Sequence, residues 1–180
     1  KLMKTTTAIF DMDGLLIDSE PLWYEAALES LAKFDIHIGH TEYYASTGLR
    51  TKEFLEHWLG KFNIDLIHLP ETESDITSRV ILKVFEKGTT MKGVELAIES
   101  VKKLDLKIGL ASSSPLSLIH AVLEKTGLQN EFTVVCSAEH LPFGKPHPQV
   151  FINCALALNS HPVECFCFED SFNGLIAAKA

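Results

Sequence analysis

The spacing of hydrophobic residues divides the chain into three parts. Residues 5–10 are β-prone and end in an apolar run, which predicts a strand. Between residues 19 and 88, apolar residues recur every three or four positions, as at Trp23 and Ala27, which predicts a series of helices. From residue 89 onward, stretches with the same helical spacing alternate with the apolar runs LKIGLAS, FTVVCSA and CFCFED, which predict strands.

This order of elements predicts an α/β protein with a Rossmann-like parallel sheet core and an inserted α-helical cap subdomain. Strands that alternate with helices form parallel sheets with helices on both faces. We expect residues 1–18 and 89–180 to form the core and residues 19–88 to form the cap, inserted after the first strand. The chain ends inside a predicted helix, SFNGLIAAKA, so we also expect the α/β domain to continue beyond it.

Composition and charge restrict the classes of function. The chain has 180 residues, 46% of them hydrophobic, and a net charge of −8. It has no dense run of Lys and Arg, which argues against a nucleic-acid partner, and no apolar run near the ~18 residues that a membrane helix needs. Its four cysteines lack the spacing of a zinc site, and free thiols suit a reducing compartment. We therefore expect a monomeric cytoplasmic protein with no membrane contact.

Polar side chains lie at the ends of three predicted strands. Asp11 follows the first strand, Ser112 ends the second, and Glu169 and Asp170 follow the last. Ligands of open parallel sheets bind at the carboxyl ends of the strands, so we expect these side chains to meet at one edge. Three carboxylates brought together would repel one another unless a cation lies between them, and carboxylate oxygens suit Mg²⁺. The sequence therefore predicts a Mg²⁺ site at this edge.

Lys145 supplies the matching positive charge within the chain. It lies in a loop that is stiffened by prolines at positions 142, 146 and 148. A carboxylate nucleophile, a magnesium ion, a lysine and a hydroxyl donor together describe a site for phosphoryl transfer, in which positioning and charge neutralisation dominate the chemistry. An aspartyl-phosphate is an established kind of covalent intermediate. We therefore expect a small phosphorylated metabolite as the substrate.

Four segments carry a resemblance to a known family. The segments DMDGLLIDSE, GLASSS, GKPHPQVF and FEDSFNGLIAAKA resemble the four ordered motifs of the haloacid dehalogenase (HAD) superfamily. Within it, the chain is similar to the β-phosphoglucomutase-like branch, and DSEPLW and TGLR resemble segments of bacterial phosphatases that act on 2-deoxyglucose 6-phosphate and hexitol phosphates. The resemblance implies a Mg²⁺-dependent phosphatase with an aspartyl-phosphate intermediate and a helical cap that closes over the site.

The resemblance also implies a role for each motif residue. Asp11 would be the nucleophile and a Mg²⁺ ligand. Asp13 would protonate the leaving alcohol and then activate water, and its main-chain carbonyl would bind Mg²⁺. Ser112 and Lys145 would hold the transferring phosphoryl group, and Asp170 would bind Mg²⁺.

Three further residues complete the predicted site, each with an alternative. Glu169 would bind Mg²⁺ beside Asp170, or it would lie outside the direct ligands of the metal. Ser113 would contact the phosphoryl group through its side chain or through its backbone N–H. Arg50 would pair with a substrate phosphate or polar tail, or it would be a solvated arginine.

Trp23 bears on the choice between hydrolysis and transfer to a second sugar position. It lies on an apolar helix stripe, so packing is its default role. It also stands twelve residues after Asp11, where related sugar-phosphate mutases usually have a histidine that helps direct transfer to sugar rather than to water. The absence of that histidine favours hydrolysis.

Other interpretations of these residues remain open at this point. Asp11, Asp13 and Gly14 resemble the start of an EF-hand, although the glycine lies at the wrong loop position and a strand precedes it. Ser112 would otherwise cap the next helix, and Lys145 would be a solvated loop residue. Three functions follow from the sequence: a phosphatase, a sugar phosphomutase of the same branch, and a non-catalytic protein that binds a phosphorylated ligand.

Overall fold

The structure is a computed structural model that describes residues 5–180. Within these residues, parallel strands form one sheet, with strands β1 (Thr7–Phe10), β2 (Lys107–Ser112), β3 (Val134–Ser137) and β4 (Cys165–Phe168). Their spatial order is β3-β2-β1-β4, and every neighbouring pair is parallel. The Rossmann-like parallel sheet predicted from the sequence is confirmed.

Helices precede or follow every strand. Between β1 and β2 lie α1 (Glu20–Leu31), α2 (His40–Tyr44), α3 (Thr51–Lys61), α4 (Leu69–Lys87) and α5 (Val94–Lys103). The later connections are α6 (Leu116–Thr126) between β2 and β3, α7 (Gln149–Ala157) between β3 and β4, and α8 (Phe172–Lys179) after β4. Short 3₁₀ turns occur at Ala32–Phe34, Leu66–His68 and Pro162–Glu164.

The first four helices form the predicted helical insert. Helix α4 packs along α1 and also against α3, and Leu31, Leu55 and Ile76 are fully buried between them. The α-helical insert is therefore confirmed, whereas its boundaries at residues 19 and 88 stay a prediction. The sequence did not predict α2, because five residues are too few for a helical spacing of apolar positions to show.

The two faces of the sheet pack against different helices. Ala8, Phe10 and Leu110 belong to the larger core cluster, with α5, α6 and the insert, whereas Ile9 and Ala111 belong to a smaller cluster with α7 and α8. Successive side chains of a strand point to opposite faces, and apolar residues on both faces are expected of a sheet that helices cover on both sides. The carboxyl-end edge of the sheet is left for polar groups.

The cysteines follow the pattern expected from the sequence. Cys165 and Cys167 alternate along β4 and both pack against the smaller core cluster, and all four cysteines are free thiols. None of the helices in residues 5–180 is both long enough and apolar enough to span a membrane. The cytoplasmic location inferred from the thiols stays a prediction.

Candidate active site

Strand register brings Asp11 next to Glu169. Phe10 of β1 pairs with Phe168 of β4, so the residues that follow them leave the sheet side by side. The backbone N–H of Asp11 donates a hydrogen bond of 3.0 Å to the Phe168 carbonyl. The pairing of β1 with β2 brings Ser112 to the same edge. The structure thus brings together the strand-end groups at which the sequence placed the chemistry.

Lys145 lies between the carboxylates of Asp11 and Glu169. Its Nζ is 2.8 Å from Asp11 Oδ1, and it forms a second ion pair with Glu169 Oε1. The three side chains are at most 8% exposed, so solvent ions screen this cluster little. Burial lowers the pKa of the Lys145 ammonium, but the two carboxylates outweigh burial and raise this pKa above its ordinary value. Lys145 is a buried cation, and the alternative of a solvated loop residue is wrong.

Asp11 is a buried carboxylate with unused acceptor capacity. Burial raises its pKa well above the ordinary value, Lys145 lowers it, and Glu169 raises it further. Oδ1 contacts the Lys145 ammonium, and it has no other hydrogen-bond partner among the described residues. Such an oxygen keeps lone pairs for a second cation or for an electrophile.

Asp11, Glu169 and Asp170 form an acidic cluster that suits a divalent cation. Each residue offers one carboxylate oxygen, and these three oxygens lie within 4.8 Å of one another. Burial raises the pKa of Asp170, and the Glu169 charge raises it further. A bound cation would offset both effects, and an all-oxygen donor set is the one that Mg²⁺ prefers. The residues present therefore fit the metal that the sequence predicted.

Two glycines allow the acidic side chains to reach this edge. Gly14 adopts a positive φ of 71°, and a Cβ at this position would overlap the Asp170 carboxylate. A Cβ on Gly174 would overlap the Glu169 carboxylate in the same way. Both a positive φ and such a close approach require glycine. The glycine that follows DMD therefore makes room for Asp170 as well as forming the turn.

Asp13 is held in a different environment, by neutral donors. Its Oδ1 accepts hydrogen bonds of 2.6 Å from the Ser19 hydroxyl and 2.8 Å from the Trp23 indole N–H. Its Oδ2 accepts a bond of 2.6 Å from the Ser114 hydroxyl. Asp11 is thus paired with a cation, whereas Asp13 is paired with neutral groups. Neighbouring carboxylates in different environments can take different roles in proton transfer.

Ser112 and Ser113 stand at the end of β2, and both line the same cavity as the two aspartates. Ser112 is buried, and its hydroxyl accepts a 3.0 Å hydrogen bond from the Ser114 N–H. The N-cap of α6 is Pro115, so the alternative in which Ser112 caps this helix is wrong. The Ser113 hydroxyl donates a 3.1 Å bond to the Gly48 carbonyl, which connects β2 to the helical insert.

One cavity lies between this edge of the sheet and the helical insert. The residues of the core that line it are Asp11, Asp13, the three serines 112–114, Lys145, Asp170 and Ser171. The residues of the insert that line it are Glu20, Trp23, Ala27, Tyr43, Ser46, Thr47, Gly48, Leu49, Thr51, Phe54 and Ile76. The insert thus covers the charged edge with a wall of mixed polar and apolar character.

Comparison with known proteins decides the family. Residues 5–180 match the family model described as haloacid dehalogenase-like hydrolase. The chain belongs to this family. Hexitol phosphatase B of Escherichia coli strain K12 is 41% identical to this HAD-like hydrolase over 174 residues, which are 96% of this chain and 78% of that protein.

Two further comparisons place the HAD-like hydrolase among its relatives. The phosphorylated carbohydrates phosphatase of Thermotoga maritima is 29% identical over 174 residues, which are 96% of this chain and 79% of that protein. A crystal structure of β-phosphoglucomutase from Clostridium difficile superposes with a TM-score of 0.89 at 27% identity, covering 98% of this chain and 81% of that one. The resemblance to the β-phosphoglucomutase-like branch, drawn from the four motifs, is confirmed, as is the expectation of an enzyme.

In the HAD-like hydrolase, Arg50 is not among the residues that line the cavity. Its Nε donates a 2.8 Å bond to Glu53, and its Nη1 donates bonds of 2.9 Å and 2.6 Å to the carbonyls of Ala138 and Leu141. Arg50 is only 8% exposed, so the alternative of a solvated arginine is wrong. The side chain connects the insert to the loop after β3. A phosphate contact by Arg50 stays a prediction, and it requires the guanidinium to leave these partners.

Sequence reasoning missed Ser19 and Glu20, and it placed Ser114 at this edge without predicting its bond to Asp13. Ser19 and Ser114 hold Asp13, and Glu20 lines the cavity beside them. Burial, followed by the charges of Asp13 and Asp170, raises the pKa of Glu20 to about 7. The segment DSEPLW contains Ser19, Glu20 and Trp23, which donates to Asp13. This segment is the signal in the sequence that could have pointed to Ser19 and Glu20.

Proposed function

We propose that the chain is a Mg²⁺-dependent phosphatase that hydrolyses a small sugar or sugar-alcohol phosphate, such as 2-deoxyglucose 6-phosphate or a hexitol 6-phosphate, through an aspartyl-phosphate. One observation carries the proposal: Asp11 pairs with the buried cation Lys145, while Asp13, held by neutral donors, lines the same cavity. The sugar class is supported by the 41% identity to hexitol phosphatase B.

In the first half-reaction, an Asp11 carboxylate oxygen attacks the phosphorus of the substrate ester. The bond from phosphorus to the substrate oxygen breaks as the bond to Asp11 forms. Asp13 gives its proton to the departing alcohol oxygen. Lys145 and Ser112 hold the oxygens of the transferring group, whose charge the buried ammonium offsets.

In the second half-reaction, water attacks the phosphorus of the aspartyl-phosphate. The Asp13 carboxylate, which has lost its proton to the alcohol, takes one from this water molecule. The bond between phosphorus and Asp11 breaks, inorganic phosphate leaves, and both aspartates return to their starting protonation states. One residue thus serves as acid and then as base, which explains why two carboxylates stand two positions apart.

Trp23 determines which oxygen of Asp13 carries the proton. An indole N–H only donates, so Oδ1, which accepts the Trp23 bond, remains an acceptor in either protonation state. The Ser114 hydroxyl can rotate to accept a bond from a protonated Oδ2. We therefore assign Oδ2 of Asp13 as the oxygen that exchanges protons with the alcohol and with water.

Asp11 and Asp170 are the proposed side-chain ligands of Mg²⁺, with the Asp13 main-chain carbonyl implied by the family motif. The bound ion would supply additional positive charge to the phosphoryl oxygens. Glu169 has both oxygens occupied, because Oε1 contacts Lys145 and Oε2 accepts bonds of 3.0 Å and 3.1 Å from the backbone and hydroxyl of Ser171. We therefore favour the alternative in which Glu169 anchors Lys145 without binding the metal directly.

The test is phosphate release from a panel of hexose and hexitol 6-phosphates, with Mg²⁺ and with EDTA. We expect release that depends on the metal and is concentrated on a few of the substrates. Absence of release from every member of the panel, by protein that is folded and binds a sugar phosphate, would favour the non-catalytic binding protein.

A sugar phosphomutase is the second candidate, because a β-phosphoglucomutase has the same fold. Two observations favour hydrolysis. Trp23 occupies the position at which mutases usually have a histidine, and its N–H is committed to Asp13. Among the described residues that line the cavity, Lys145 is the one Lys or Arg, so the second phosphate of a bisphosphate intermediate would lack a cationic partner. Isomerised hexose phosphate in place of free phosphate would establish the mutase.

A further inference from the structure

Glu20 and Thr47 form a polar pair on the wall of the cavity. The Thr47 hydroxyl lies within reach of the Glu20 carboxylate, but no cation and no other hydrogen-bond donor among the described residues pairs with Glu20 Oε2. Buried polar groups that are short of partners often mark sites of function. We call these two residues the Glu20–Thr47 patch.

The patch adjoins the acid–base residue of the proposed reaction. Glu20 is the first residue of α1 and stands one helical turn before Trp23, whose indole bonds Asp13. Residues three apart on a helix are neighbours on its surface. The backbone of Thr47 is held in place, because its carbonyl accepts a 3.0 Å bond from the Asn173 side chain. The patch is therefore a fixed part of the wall, next to the place at which the leaving alcohol must lie.

The charges around the patch restrict what can bind there. The described lining of the cavity contains four carboxylates, on Asp11, Asp13, Glu20 and Asp170, against the one ammonium of Lys145. That ammonium is already paired with Asp11 and Glu169. A second anionic group on the substrate would meet Glu20, because the ammonium and the proposed Mg²⁺ would both be engaged by the phosphoryl group and by their own carboxylates. A neutral hydroxyl would instead donate a hydrogen bond to Glu20 Oε2, and the Thr47 hydroxyl can accept or donate another.

We propose that the Glu20–Thr47 patch binds the hydroxyl groups of the substrate's carbon chain and selects neutral polyol monophosphates over substrates with a second anionic group. This proposal rests on the proposed phosphatase function and narrows its substrate class. A site built to pair with a substrate hydroxyl discriminates strongly against an analogue that lacks it, because the buried carboxylate is then left short of a hydrogen-bond donor.

The test compares two substrates in the wild type and in Glu20→Leu. One is a hexitol 6-phosphate, and the other is p-nitrophenyl phosphate, which has no hydroxyl for the patch. We expect Glu20→Leu to lower kcat/KM for the hexitol phosphate by about 10-fold or more, mainly through KM, and to leave p-nitrophenyl phosphate within about 2-fold. Glu86→Gln is the control, since this acidic residue on α4 is exposed and does not line the cavity.

Two further variants separate charge from hydrogen bonding. Thr47→Val removes a hydroxyl with little change of shape, and we expect it to raise KM for the hexitol phosphate alone. Glu20→Gln removes the negative charge, and we expect it to improve hydrolysis of a hexose bisphosphate relative to the hexitol monophosphate. An equal loss of activity on both test substrates in Glu20→Leu, with no shift towards the bisphosphate in Glu20→Gln, would overturn the proposal.

These outcomes are distinct from a failure of the phosphatase function. If the wild type released no phosphate from either substrate, the proposed function would be wrong, whatever the variants did. Calorimetric titration of hexitol 6-phosphate would then decide the role of the patch, because weaker binding by Glu20→Leu than by Glu86→Gln supports it and equal binding contradicts it.

Discussion

The two ends of the cavity bury carboxylates in opposite ways. At the sheet edge, Asp11 and Glu169 share the ammonium of Lys145, so two negative charges face one positive charge. On the insert, Glu20 is largely buried without any cation, and its pKa is raised to about 7. The first end is compensated by a cation within the protein, whereas the second has only the neutral hydroxyl of Thr47 beside it.

This difference separates the group that reacts from the group that is recognised. A phosphoryl group is charged, and a buried cation fixed in advance stabilises its transfer without reorganisation. A hydroxyl group is neutral, and in the proposed recognition it would donate a hydrogen bond to the buried Glu20 carboxylate, which has no cation beside it. The cost of burying Glu20 would then be highest in the substrate-free protein and would fall on binding.

The largest expected effect follows from removing the reacting carboxylate. Asp11→Asn keeps the shape of the side chain but removes the nucleophile, so we expect kcat to fall by at least about 10³-fold. Phosphate release from the best substrate of the panel measures this effect, and circular dichroism checks the fold. Activity near the wild-type level in Asp11→Asn would rule out the covalent mechanism.

The next largest effect is expected from removing the cation at the sheet edge. Lys145→Met leaves Asp11 and Glu169 buried without their cation, and we expect unfolding free energy to drop by about 3–5 kcal/mol at neutral pH in EDTA. The double variant Lys145→Met/Glu169→Gln should recover part of the loss, because one uncompensated charge is removed. Denaturant unfolding measures both, and a single variant as stable as the wild type would contradict the assigned role of Lys145.

Removing the buried charge of Glu20 should raise the unfolding free energy, whereas removing the charge of Lys145 should lower it. A carboxyl whose pKa rises from 4.5 in the unfolded chain to about 7 in the folded protein binds more protons when folded between these values. The contribution of Glu20 to wild-type stability therefore falls as the pH rises through this window, and the loss is complete above about 7. Relative to the wild type, Glu20→Gln should be more stable at pH ~8 by roughly 1–3 kcal/mol and should gain little at pH ~4.

Denaturant unfolding of the wild type and Glu20→Gln across this pH range, in EDTA, tests the prediction. Glu86→Gln serves again as the control, because its side chain is exposed and its charge does not act on Glu20. A difference in stability between wild type and Glu20→Gln that does not change with pH would show that Glu20 is not an uncompensated buried charge.

The smallest predicted effect concerns the hydrogen bond from Trp23 to Asp13. Trp23→Phe removes one of three donors, and we expect kcat to fall by about 3–10-fold, the equivalent of one hydrogen bond, with KM nearly unchanged. Trp58→Phe is a matched control, because Trp58 is buried and its Nε1 has no hydrogen-bond partner among the described residues. Equal effects of the two substitutions would reduce Trp23 to a packing residue.

The compensated end of the cavity could be predicted from the sequence, for a topological reason. Parallel strands end at one edge, so Asp11, Ser112 and Asp170 had to meet once the strands were recognised. Like charges in a desolvated cluster then required a cation, and Lys145 was the candidate in the motif pattern. The strand periodicity alone fixes these positions to within a residue, because β1 ends at Phe10 and β4 at Phe168.

The uncompensated end could not be predicted in the same way. Trp23 lies on an apolar stripe, and helix periodicity gives its face but not the direction of its indole N–H. Glu20 has the pattern of an ordinary acidic residue at a helix start, and its burial depends on how the insert packs over the sheet. The partners of Arg50 depend on the same packing, because two of them are carbonyls of the loop after β3.

The most direct test of the account is a pre-steady-state measurement on Asp13→Asn with p-nitrophenyl phosphate and Mg²⁺. Because p-nitrophenolate leaves without a proton, Asp11 should still be phosphorylated, while water attack should stall for lack of a base. We predict a burst of p-nitrophenol equal to the amount of enzyme, followed by slow turnover, with phosphate on Asp11 in the acid-quenched protein. Steady hydrolysis without a burst, or phosphate release without any phosphorylated Asp11, would contradict the division of roles between the two aspartates.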